Sequence, residues 1–124
     1  MGESGKNKVE YGEVKMYCLD IKFKVPLRIE TEVELADGGR ATVTTVFEFE
    51  NNNLAASYCK TIAKIFPLKN ATEKIQRIFG QVSFDCEKRG ELKKVDEQTL
   101  EFVTLSLDSA DLIHNAFCAI LGDY

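Results

Sequence analysis

Apolar residues hold every odd position from Tyr17 to Val25, and the same parity runs on through Leu27, Ile29, Val33 and Leu35. It resumes in Ala41, Val43, Phe47 and Phe49, while Asp20, Lys22, Lys24, Arg28, Glu30, Glu32, Glu34, Glu48 and Glu50 take even positions. Successive side chains of a strand point to opposite faces, so this pattern writes one apolar and one charged face of a sheet. Asp37-Gly38-Gly39 is a turn signal, and only a loop of odd length keeps odd positions opposite odd ones. A three-residue loop at 37–39 predicts Leu35 opposite Ala41, Val33 opposite Val43, Thr31 opposite Thr45 and Ile29 opposite Phe47.

A first strand is expected from about Val14 to Val25. Pro26 cannot donate a ladder hydrogen bond, and a bend between two strands is expected there. After the hairpin, Asn51-Asn52-Asn53 offers helix caps. Leu54, Tyr58, Ile62, Ile65 and Phe66 then recur at helical spacing until Pro67. A second, short helix is expected over 71–79, capped by Asn70 and stopped by Gly80. Strand alternation returns at Val82, Phe84 and Cys86. The charged run 88–98 around Gly90 reads as a turn or hairpin tip, and Thr99 to Leu107 as a strand. Asp108 starts a final helix with a stripe of Ala110, Ile113, Phe117 and Ile120, flanked by Leu112 and Leu121 and ended by Gly122. The expected fold is therefore α+β: an antiparallel sheet of about five strands, in the order β-β-β-α-α-β-β-α, with helices packed on one face. Residues 1–8 are expected to be a flexible tail and 9–124 a single domain.

The chain has 124 residues, 16 Lys and Arg against 20 Asp and Glu, and a net charge of −4. An acidic chain has no general pull on phosphate backbones, which argues against nucleic acid as a partner. No apolar run approaches the ~18 residues of a membrane span. The polar start lacks the apolar centre of a leader. The four cysteines, Cys18, Cys59, Cys86 and Cys118, are widely spaced with no C-x-x-C pair, so reduced thiols in a cytoplasmic protein are expected.

His114 is the only histidine. It lies four residues before Cys118 and so on a neighbouring turn of the last helix, as a thiol–imidazole pair or two metal ligands would. Two ligands do not close a zinc site, and no second pair completes it. No metal, cofactor or catalytic residue is therefore assigned. Tyr58, Cys86, His114 and Cys118 are the candidates for a pocket between sheet and helices. The stronger feature is the charged face: Arg28, Glu30, Glu32, Glu34, Glu48 and Glu50. It could receive a protein partner, a second copy of the chain included, or simply remain solvated. The expected function is a non-catalytic interaction module or small subunit of an assembly, associating through a sheet edge or this face. A small-molecule-binding protein or small enzyme is the alternative.

Overall fold

The computed structural model describes residues 7–16, 21–49, 56–66, 70–86, 89–105 and 110–124. Eight elements follow in the order β1 (Asn7–Met16), β2 (Ile21–Glu34), β3 (Arg40–Phe49), β4 (Ala56–Ile65), α1 (Ala71–Cys86), β5 (Glu91–Asp96), β6 (Thr99–Thr104) and α2 (Ala110–Gly122). The strands form one antiparallel sheet of order β1-β2-β3-β4-β6-β5, and the two helices pack against it. The α+β architecture is as expected, with six strands instead of about five and a different assignment of three later segments; the strand expected over Val14–Val25 instead falls to β1, which already starts at Asn7 within the expected tail, and to β2, which starts at Ile21.

The first correction is β4. The stripe Tyr58, Ile62, Ile65 fits a helical period, but the same stretch alternates. Cys59, Thr61, Ala63 and Ile65 are buried, and Tyr58, Lys60, Ile62 and Lys64 lie on the other side. Pairing with β3 on one side and β6 on the other satisfies the backbone along both edges. That tertiary gain decides between two periods that a ten-residue window fits equally well.

The second correction is α1, a single helix where a short helix and a strand were expected. Ile75, Ile78, Val82 and Cys86 are all fully buried at spacings of three and four. Gly80 sits on the exposed side, and a Cβ there would meet nothing within 4 Å. A mid-helix glycine costs about 1 kcal/mol, less than burying Val82 returns at roughly 1.5–3 kcal/mol. The third is β5: the charged run expected as a hairpin tip is a strand. Its turn to β6 is closed by Asp96 Oδ1, which accepts the Gln98 N–H at 2.7 Å.

The β2–β3 hairpin keeps the expected parity but is shifted by two residues. Val33 opposes Ala41, Thr31 opposes Val43 and Ile29 opposes Thr45. The loop is 36–38, one residue earlier than expected. Gly38 takes the left-handed position (φ 94°), its N–H donates to Leu35 O at 3.0 Å, and Leu35 N–H donates to Gly39 O at 2.8 Å. Asp37 Oδ1 accepts the Gly39 N–H at 3.2 Å, which fixes the aspartate inside the loop. Both loops have three residues, so the buried face is the same. Pro26 does not divide the strand. β2 runs through it, and the register with β1 slips there, between Glu10↔Arg28 and Tyr11↔Pro26. The β2–β3 ladder ends at Arg28↔Val46, leaving the Pro26 edge without a ladder bond to supply.

The core lies between the odd face of β2, β3 and β4, the even face of β6, and both helices: Val33, Ala41, Val43, Ala63, Ile65, Leu100 and Phe102 meet Ile78, Val82, Ile113 and Phe117. Phe47 and Phe49, expected in that core, are only half-buried at its margin, and Leu112, expected to flank the α2 stripe, is 60% exposed. Lys74 of α1 ties the hairpin tip to the end of α2, donating to Asp37 and, at 2.6 Å, to the main-chain oxygen of Tyr124.

Candidate interaction face and the buried polar chain

Among the described residues, the helices cover one face of the sheet and leave the other open. Cross-strand partners share a face, so the register sorts the open face into rows. One row runs Glu10, Arg28, Val46, Lys60, Val103, Glu91 from β1 to β5; the next runs Lys8, Glu30, Thr44, Ile62, Glu101, Lys93. A third holds Glu32, Thr42, Lys64, Thr99 and Asp96, and on the other flank Glu48 opposes Tyr58. Val46, Tyr58, Ile62 and Val103 are half-buried at the centre of the face, while Lys8, Glu10, Glu32, Glu91 and Lys93 at its sides are exposed.

Within the face, Arg28 donates to Glu30 at 2.8 Å, and this bond together with the charges of Glu30 and Glu10 holds the guanidinium pKa above its ordinary value. Glu101, with its side chain 15% exposed, stands between Lys93 at 3.2 Å and Lys60 at 3.8 Å. Of the expected face, Arg28, Glu30, Glu32, Glu34 and Glu48 share this side, and Glu50 lies outside the described residues. Sequence reasoning missed Lys8, Glu10, Lys60, Ile62, Glu101 and Lys93. The alternation of residues 58–65 was the available signal for two of them.

The pocket candidates are dispersed. Tyr58 belongs to the open face, Cys86 is buried at the end of α1, and only His114 and Cys118 come together, around Thr31. Cys18 lies outside the described residues. Cys59, Cys86 and Cys118 form no disulfide. Burial, and more weakly the charge of Asp111, pushes the Cys59 thiol up to about 12. Burial raises Cys118 as well, partly offset by its hydrogen bond to Thr31. Neither supplies a thiolate at neutral pH.

His114, 3% exposed, is instead the middle of a polar chain beneath α2. The Thr31 hydroxyl donates to Asn7 Oδ1, so its oxygen accepts from His114 Nε2–H at 2.8 Å. That leaves Nδ1 to accept from the Thr45 hydroxyl at 2.8 Å, and Thr45 in turn accepts from Thr61 at 2.8 Å. One direction of donation satisfies all five side chains. The threonines of β2, β3 and β4 are therefore seats for one imidazole. Replacing Thr45 by Val keeps the shape but strands Nδ1 and the Thr61 hydroxyl. Chemical denaturation should show a loss of about 1–3 kcal/mol, against within about 0.5 kcal/mol for Thr44→Val on the open face.

Burial lowers the His114 pKa below its ordinary 6.5, with Asp111 opposing weakly. Below that value the unfolded chain takes up a proton that the folded chain resists, so the unfolded state gains as pH falls. The contribution of neutral His114 is thus complete above about pH 6.5 and is lost as pH drops toward the folded value. Melting curves from pH 8 to 5 should slope downward more steeply for the native chain than for His114→Asn.

Among the described residues no group of three or more His, Cys, Asp or Glu converges as a metal site, and no helix is long and apolar enough to cross a membrane. Comparisons with family models, curated proteins and solved structures found no match to this chain.

Proposed function

We propose that this protein is a non-catalytic interaction module that docks a protein partner on the helix-free face of its sheet. The observation that carries this reading is the order of that face: four half-buried residues, Val46, Tyr58, Ile62 and Val103, framed by charged side chains in fixed cross-strand rows. Half-buried apolar side chains grouped about the Lys60–Glu101 pair, with exposed charges at the sides, give the mixed apolar and polar anatomy of a recognition surface. Its acidic edge along β2, Glu30, Glu32 and Glu34, suits a protein surface and opposes a phosphate backbone. The buried imidazole supports the same reading, because both its nitrogens are engaged by threonines and its role is to seat α2.

The test places a photo-crosslinking residue at position 46 on the face, or at position 76 on the exposed side of α1, in the full chain. In source cells a discrete crosslinked protein should appear from 46 and not from 76. Equal products from both positions, or none from 46, would overturn the proposal.

A further inference from the structure

Resting on that reading, we propose that the occupant of the open face is a second copy of the same chain, stacked face to face about a two-fold axis that runs across the strands. The argument is charge complementarity written into the register. At three of their six positions the two central rows carry opposite charges: Glu10 against Lys8 on β1, Arg28 against Glu30 on β2, and Glu91 against Lys93 on β5. A two-fold axis lying between the rows and perpendicular to the strands sets each strand antiparallel over its own copy and each row over the other row. Within these two rows, every charged residue of the three strands then meets its opposite. Between them Val46 lies over Thr44, Lys60 over Ile62 and Val103 over Glu101 of the second copy.

The flanking rows add no conflict, since Thr42 falls over Glu48 and Lys64 over Tyr58. On β2, each copy's Arg28–Glu30 pair meets the other pair head to tail, closing a ring of four alternating charges. The competing stacking, with the axis along the strands between β3 and β4, turns each row end for end. It puts Glu10 over Glu91, Lys8 over Lys93 and Glu30 over Glu101. Like charges so opposed are costly, and the face therefore selects one symmetry.

Six strands at ~4.8 Å spacing and four rows give a face of roughly 25 by 20 Å, or about 1,000 Å² over both copies, at the lower bound for a specific interface. A dimer that forms at micromolar concentration and weakens with salt fits such a contact.

The experiment is sedimentation of the full chain over a range of concentrations, with Arg28→Glu, Glu30→Arg and their mixture. The native chain should dimerise. Each variant alone brings like charges together in the ring and should bind itself at least about tenfold more weakly. Mixed, the two present two acidic against two basic charges along β2, and the mixture should form a heterodimer at native strength or better. Circular dichroism of each variant checks that it folds. A native chain that stays monomeric, variants that dimerise like it, or a mixture that stays monomeric would each overturn the inference. A monomer that still yields a discrete heterologous crosslink from position 46 ends the inference alone; a monomer with no crosslink ends the docking reading too.

Discussion

Replacing Phe102 by Ala should lower the unfolding free energy by about 3–5 kcal/mol, the range for deleting a buried aromatic. Phe102 is fully buried on β6, and its ring lies 6.3 Å from that of Phe117 on α2 at an interplanar angle of 58°. The residue therefore joins the sheet to the helix layer, and its loss removes both apolar burial and a tilted ring pair. For a domain whose whole stability is of the order of 5–15 kcal/mol, that is a large share. The melting temperature should fall by on the order of 10–20 °C, and urea unfolding should show an earlier midpoint with an unchanged slope. A loss below about 1 kcal/mol would mean that β6 does not face the helices.

Gly90→Ala should be comparably damaging, for a different reason. A Cβ at this position would collide with the main-chain oxygen of Val103 and come within 2.8 Å of Phe102 Cζ. A side chain tip can swing aside, but a ladder carbonyl cannot move without prising β5 from β6. The expected cost is roughly 3 kcal/mol, at the upper end for overpacking. The pairing of cause with atom can be checked in a double variant. Phe102→Leu removes the ring contact and leaves the carbonyl, so it should not rescue Gly90→Ala in denaturation curves. Rescue would place the conflict on the ring alone. Gly12→Ala makes the contrast, since the obstacle there is only the flexible side chain of Leu27.

Parity was the part of the fold most open to reading. The odd face of residues 27–49 is buried where helices cover it, at Val33, Leu35, Ala41 and Val43, because alternation depends only on local backbone geometry. The same argument located Arg28, Glu30, Glu32, Glu34 and Glu48 on one side. It did not fix how far the hairpin slides, because loops at 36–38 and 37–39 have equal length and equal parity. Side-chain chemistry at Asp37 separated them. It also did not reveal the rows, which require knowing that β4 pairs with β6 and that β5 closes the sheet beyond it. No local pattern connects Ile62 to Glu101 or Lys93.

The sequence by itself determined the class of fold, the buried parity of its central hairpin and the last helix, because each follows from a periodicity within one segment. Only the tertiary structure decided that 56–65 is a strand and 71–86 one helix. There the local signals were balanced, and two-sided sheet pairing or burial of Val82 and Cys86 tipped them. It alone also gathered Thr31, Thr45 and Thr61 under His114, since hydroxyls 14 to 16 residues apart converge only when their strands are laid side by side.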